Sequence, residues 1–417
     1  MELKVNILLI NHYAGSPAMG MEYRPYYMAK EWLKLGHKVT IVAASFSHLR
    51  SQQPYITSSI QEEKIDGIRY VWLKTPSYTG NGLGRVKNML CFVAKLYKYL
   101  RQIANKDRPD VIIASSTYPL DIFPAHHIAK RFDAKLIFEV HDLWPLSPME
   151  IGHMSPLHPF IWVMQRGEDY ACKHADKIVS ILPLANKHLE TRGMCPKKFV
   201  HVPNGINIDE WKNNNIKLPP EHQTFFQEHQ GSFFVGYAGS HGLANGLKYL
   251  VQAASLLEEK KIVIVLVGQG PEKERLINQA KKLKLNNIFF LPPIPKTIIP
   301  LLLDNMRCLF IAAKRTNLYR YGISMNKLFD YMMSGRPIIN AIDAGNDPVK
   351  EVGCGLSILP EDPEAIAKAI LKIYNMPEEE RCHLGEKGKK YVLEHHTYPV
   401  LAASFLHEIK KGDYCGK

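Results

Sequence analysis

The densest candidate chemistry lies in Lys314-Arg315 and in the run Tyr321-Gly322-Ile323-Ser324-Met325-Asn326-Lys327-Leu328-Phe329-Asp330. Ser324 or Asn326 is predicted to cap a helix that begins here. The N–H groups of its first turn, with Lys327 close by, suit a diphosphate. Asp330 lies one turn beyond Lys327. It either forms an i,i+3 salt bridge with that lysine or reaches a ribose diol. Leu328, Phe329 and Met332 read as core. Gly335 and Pro337 end the helix and start a buried strand.

Three further clusters fall where strands should end. In VGYAGSHGLANGL, glycines 236, 239, 242 and 246 surround a strand end and a helix start. Exposed N–H groups there form a phosphate cradle, with His241 and Asn245 as added polar contacts. Tight turns alone also explain such a cluster. Gly268 and Gly270 close another strand. Glu139-Val140-His141-Asp142 ends an apolar strand and places a histidine between carboxylates. That group suits orientation of a substrate hydroxyl, proton transfer, or simply holding a loop. The loop Asn11–Arg24 carries Gly15, Gly20, Glu22, Tyr23 and Arg24. It lacks the GxGxxG spacing of a dinucleotide site.

The elements that must position these residues alternate between short apolar runs and helical periodicity. VNILLI, KVTIVAA, IRYVWLK, VIIASS and KLIFEV read as strands of a parallel sheet. YYMAKEWLKLGH between the first two reads as a helix with Tyr27, Trp32, Leu33 and Leu35 as packing candidates, stopped by Gly36. Six or seven strands are expected before residue 208. From Trp211 to Ser232 periodicity fades, which reads as a linker. A second series follows: FFVGYAGS, KIVIVLVGQG, NNIFFLPP, CLFIAAK and the strand after Pro337. The expected organisation is domain one over 1–208, domain two over 209–392, and a terminal helix over 393–417 packing back toward domain one. Such sheets bind ligands beyond the carboxyl ends of their strands.

At 417 residues the chain suits two cores rather than one. Its formal net charge of +13 points to nucleic acid, an anionic membrane or phosphorylated substrates. No nucleic-acid module is recognisable. Seven cysteines without a CxxC pair argue against a disulfide framework or zinc site, and for a reducing compartment. No apolar run is long enough for a spanning helix. The basic, apolar-rich segment 82–108, with Arg85, Lys87, Lys95, Lys98 and Arg101, reads as a helix that lies on anionic lipid or packs on the sheet with its cations in water.

NKLFDYMMSGRPII resembles the donor-site helix of the family-4 retaining glycosyltransferases. The loop with Gly20, the His141-Asp142 pair, VPNGI (202–206) and VGQG (267–270) fall in that family's order. NHYAGSPAMGMEYRPYYMAKEW further resembles WbuB-like enzymes of surface-polysaccharide synthesis. The resemblance implies an α/β GT-B fold: two Rossmann-like domains facing each other across a cleft. It implies a UDP-sugar donor, N-acetylated hexosamines or deoxyhexosamines among them, and a polyprenyl-diphosphate-linked acceptor. No metal or other cofactor is implied, and the place of work is the cytoplasm, peripheral on the inner membrane. The donor set would be Gly20, Gly239, His241, Asn245, Gly268, Lys314, Arg315, Ser324, Asn326, Lys327 and Asp330. His141, Asp142 and Glu22 would serve catalysis, and Tyr23, Arg24 and Glu139 the acceptor. The family's two glutamates, seven residues apart, are replaced here by Gly322 and Asp330. The arginine and lysine usual after the second domain's first strand become His241 and Asn245. An epimerase of the same fold and a non-catalytic nucleotide-sugar-binding protein are the rival readings.

Overall fold

The computed structural model describes residues 4–20, 23–80, 82–212, 217–258 and 260–410. The chain divides into two units: Met1–Pro203 with Tyr398–Lys417, and Asn204–Thr397.

The first unit is built on β1 (Asn6–Ile10), β2 (Lys38–Ala44), β3 (Ile60–Ile65), β4 (Ile68–Leu73), β5 (Val111–Ala114), β6 (Lys135–Val140), β7 (Lys177–Ser180) and β8 (Phe199–His201). They form one sheet in the order β3-β4-β2-β1-β5-β6-β7-β8. Every pair is parallel except β3 with β4. β5 and β7 are buried throughout, as expected of strands covered on both faces. β3 was not expected. Its sequence, IQEEKI, is largely polar because it is an exposed edge strand, where charge discourages further pairing. Asp66-Gly67, both at positive φ, makes the tight β3–β4 turn.

The helix Arg24–Lys34 buries Tyr27 and Trp32 as anticipated. Leu33 is only partly buried, and Leu35, past the last helical residue, is 48% exposed. Trp32 donates from Nε1 to the Ala402 carbonyl at 3.2 Å and packs on Phe405. The terminal helix Tyr398–Lys410 thereby completes the core of the first unit. Leu83–Lys106 forms a single long helix. Met89, Phe92, Leu96, Leu100 and Ile103 make its buried stripe.

The second sheet comprises β9 (Phe233–Ala238), β10 (Ile262–Val267), β11 (Ile288–Leu291), β12 (Cys308–Ala312), β13 (Ile338–Ala341) and β14 (Gly355–Ser357). Its order is β11-β10-β9-β12-β13-β14, all parallel, the doubly wound arrangement of a nucleotide-binding sheet. The stretch read as linker contains a helix, Pro220–Glu228, that buries Phe225 and Phe226. Two adjacent aromatics give too little pattern to reveal a helical period.

Cys195 is disulfide-bonded, and among the described residues Cys91, Cys172, Cys308, Cys354 and Cys382 are free. No described helix is long and apolar enough to cross a membrane.

Candidate functional site

Each sheet reverses its winding direction once, between β1 and β5 in the first unit and between β9 and β12 in the second. The loops leaving the carboxyl ends of these strands carry most of the anticipated residues.

In the second unit, β9 runs into Gly239–Gly246. Lys327, on the helix Asn326–Met333, reaches this turn. Its Nζ donates to Tyr237 Oη at 2.8 Å and to Asn245 Oδ1 at 2.9 Å. Burial pushes its pKa down to about 8. The Lys314 N–H donates to the Ala244 carbonyl at 2.8 Å, fastening the β12 exit to the same turn. His241 is fully buried, and neither ring nitrogen has a hydrogen-bond partner among the described residues. Burial, then Lys273 and Lys327, lower its pKa to about 4, so the ring is neutral at neutral pH. Lys273 donates to the Gly268 and Leu291 carbonyls at 2.9 and 3.1 Å. Gly268 is required by close approach: a Cβ there would lie 1.9 Å from the Gly239 carbonyl oxygen. Cations, a neutral imidazole and a glycine-lined turn together suit a phosphate group.

Several expectations in this unit need correction. The N-cap of the Asn326–Met333 helix is Met325, with no side-chain cap. Ser324 instead accepts from the Asn204 N–H at 2.8 Å, and its carbonyl accepts from Asn204 Nδ2 at 2.7 Å. Asn326 is exposed. Lys327 is engaged with Tyr237 and Asn245 rather than with Asp330. Burial raises the Asp330 pKa, and the nearby cation that opposes this is Lys296. Arg315 is exposed, and its N–H donates to Glu361. Gly322 has φ of +95°, a backbone conformation that disfavours a glutamate at this position.

In the first unit, His141 follows β6. Its Nε2 lies 2.9 Å from Ser115 Oγ and 3.3 Å from Glu139 Oε2. Ser115 Oγ lies 2.6 Å from the same carboxylate oxygen. Arg24 Nε donates to Glu139 Oε1 at 2.9 Å, and its terminal nitrogens donate to the Pro203 and Val202 carbonyls. Burial alone would raise the Glu139 pKa. Arg24 and His141, with the His141 and Ser115 hydrogen bonds, outweigh it and hold the carboxyl well below its ordinary range. Arg24 and Glu139 are 4% and 3% exposed, so they face each other inside the protein and do not line an open acceptor surface. Ser115 and His141 do not form a hydrolase triad. There, serine and carboxylate use opposite ring nitrogens, whereas here both meet Nε2.

Asp142 Oδ1 accepts from the Leu143 N–H and from Ser147 Oγ, which fixes the loop; burial raises its pKa. Gly20 makes an isolated bridge with Arg50. Tyr23 packs at the edge of the core, its ring 6.0 Å from that of Tyr27. Glu22 lies outside the described residues. Asp121, unanticipated, is fully buried beside this network; its Oδ2 accepts from the Ser116 N–H, and burial pushes its pKa up to about 7.

Arg85 was grouped with the membrane cations, but its guanidinium faces inward. It lies 5.9 Å from the Tyr13 ring and 5.7 Å from the Trp144 ring, and donates to Tyr13 Oη. Lys95 is partly buried, with Nζ 3.4 Å from the Ser59 carbonyl. Lys87, Lys98 and Arg101 are exposed. Among the described residues, no group of three or more His, Cys, Asp or Glu is placed to hold a metal ion.

Two family models match: Glycosyltransferase Family 4 over residues 19–210 and Glycosyl transferases group 1 over residues 220–391. A putative colanic acid biosynthesis glycosyl transferase, WcaI of Escherichia coli K12, is 22% identical over 372 residues, covering 83% of this chain and 87% of the relative. The probable glycosyltransferase WbjE of Pseudomonas aeruginosa is 22% identical over 394 residues, with coverages of 88% and 89%. The crystal structure of Anabaena Alr3699/HepE in complex with UDP and glucose superposes with a TM-score of 0.67 at 15% identity, over 97% of this chain and 99% of that one. That likeness shows the fold: GT-B, with two Rossmann-like parallel-sheet domains. The two models between them span nearly the whole chain, and on that ground it belongs to the family-4 glycosyltransferases.

Proposed function

We propose that this enzyme transfers an N-acetylated hexosamine or deoxyhexosamine from a UDP-sugar to a polyprenyl-diphosphate-linked saccharide, with retention of anomeric configuration, in surface-polysaccharide synthesis. The observation that carries the donor side is the Lys327–Tyr237–Asn245 cluster beside the glycine turn after β9. Its positive charge and helix N–H groups stabilise the nucleoside diphosphate as charge develops on leaving. Lys314 belongs to this set by its position. His141 is the first unit's group assigned to the reacting sugar, and the acceptor is assigned to that unit. Relatives named for colanic acid and O-antigen chain synthesis support the polysaccharide setting.

A product assay tests the reading. Purified protein is incubated with UDP-N-acetylhexosamines and UDP-deoxysugars, with and without N-acetylglucosaminyl-diphospho-lipid, and UDP and glycolipid mass are followed. Acceptor-dependent UDP release with a matching mass gain is expected. An epimerised sugar formed without acceptor would overturn it in favour of an epimerase.

The exposed stripe of the Leu83–Lys106 helix supports a peripheral membrane contact. Leu83, Leu90 and Tyr97 are 88%, 51% and 57% exposed, and they alternate with exposed Lys87 and Arg101 at helical spacing. Apolar side chains among cations suit an anionic bilayer. Leu90→Glu is expected to weaken flotation with phosphatidylglycerol vesicles by about tenfold, at roughly 1 kcal/mol or more for the lost apolar area and added negative charge. Equal flotation of variant and wild type would remove this face from the proposal.

A further inference from the structure

The groups around His141 determine which ring nitrogen carries its proton. Ser115 Oγ is 2.6 Å from Glu139 Oε2. An ionised carboxylate only accepts, so the hydroxyl gives its one proton there. Ser115 Oγ already accepts from Asn11 Nδ2 at 3.2 Å. At 2.9 Å from His141 Nε2 it has no second proton to offer and must accept again. Nε2 is therefore the donor, and Glu139 Oε2, 3.3 Å away, favours the same assignment. This proton arrangement requires an ionised Glu139. Arg24, paired with Glu139 Oε1 at 2.9 Å, secures that.

We infer that Arg24, Glu139 and Ser115 are positioning residues that hold His141 as its Nε2-protonated tautomer. Nδ1 then becomes the nitrogen at which the ring gains or loses a proton. A neutral His141 presents a lone pair at Nδ1, and a charged one presents an N–H. Ring orientation and tautomer are both set before any sugar arrives, which is the preorganisation that electrostatic catalysis needs. The kinetic consequence rests on the proposed glycosyl transfer; the tautomer does not.

Nitrogen-15 NMR of the histidine-labelled full chain tests this without substrate, with H141Q assigning the resonance. The expected spectrum of neutral His141 shows a protonated Nε2 and an unprotonated Nδ1. Ser115→Ala and Glu139→Gln are expected to lose the single tautomer and lower kcat about tenfold or more, with UDP affinity held within about twofold. Ser115→Thr, which keeps the hydroxyl, restores both. Protonation at Nδ1 in the wild type would overturn the inference. So would an unchanged tautomer and kcat in both S115A and E139Q. A wild type with the expected tautomer but no transfer to any acceptor would instead count against the proposed reaction.

Discussion

Lys327→Ala is expected to weaken UDP binding about a hundredfold, measured by isothermal titration calorimetry. The lysine's two side-chain partners, Tyr237 Oη and Asn245 Oδ1, are neutral. The ammonium is poorly solvated, which is why its pKa falls to about 8. At the proposed donor site a diphosphate would supply the countercharge. Truncating one side of such a desolvated charge pair costs about 2–5 kcal/mol, or roughly thirtyfold to several thousandfold in Kd. Arginine is not a safe replacement. Lys327 Nζ lies 3.3 Å from where a Cβ on Gly239 would stand, so a planar guanidinium meets the turn itself. Binding of UDP to K327A within about threefold of wild type would remove Lys327 from the donor site.

The same lysine gives the binding a pH signature. Its free value is about 8, and a diphosphate bound at the proposed site would raise it. UDP binding therefore takes up a proton between the free and bound values. Affinity should fall as pH rises above 8, by at most about tenfold per unit. His241, with a pKa near 4, stays neutral over this range in the free enzyme. K327A should lose most of the slope. An equal slope in the variant would place the titrating group elsewhere.

The alternation of apolar runs with helical periodicity was enough to read two doubly wound sheets, because buried parallel strands such as β5 and β7 are written in apolar residues. β3 escaped because an edge strand is polar, although its Asp66-Gly67 turn was a usable signal. The positions of His141, His241, Asn245 and Lys327 at strand ends and the helix start were legible for the same reason the strands were. Their partners were not. Ser115 is one small polar residue after a strand, and nothing local says that it will meet a carboxylate from the next strand. Ser324 looked like a helix cap by spacing, but Asn204, 120 residues away, takes its hydroxyl. Arg85 belonged by composition to a basic surface helix, yet aromatic rings from two other loops draw it inward. In each case a long-range contact overrode a sound local pattern.

The buried pair Arg24–Glu139 should show the largest stability effect in the first unit. Arg24→Ala removes three hydrogen bonds at once: one to Glu139 and one each to the Val202 and Pro203 carbonyls. It leaves an ionised Glu139, 3% exposed, which among the described residues keeps Ser115 and His141 as its polar neighbours. Breaking a buried pair from one side costs about 3–5 kcal/mol, mostly as the penalty of the charge left behind. The double variant Arg24→Met with Glu139→Leu removes both charges, so it should be less destabilised than the sum of the single changes by about 2 kcal/mol. Acid behaviour carries the same sign. Glu139's folded pKa is depressed, so its contribution is complete above the ordinary carboxylate range and is lost as pH falls toward the folded value. The double variant should therefore show a shallower loss of stability below about pH 4. Four of the five tryptophans, Trp32, Trp72, Trp144 and Trp162, lie in the first unit, so denaturant titration followed by tryptophan fluorescence reads this unit selectively. An R24A midpoint shift equivalent to less than about 1 kcal/mol would mean that water or another group replaces the arginine, and that Glu139 is not held ionised by this contact.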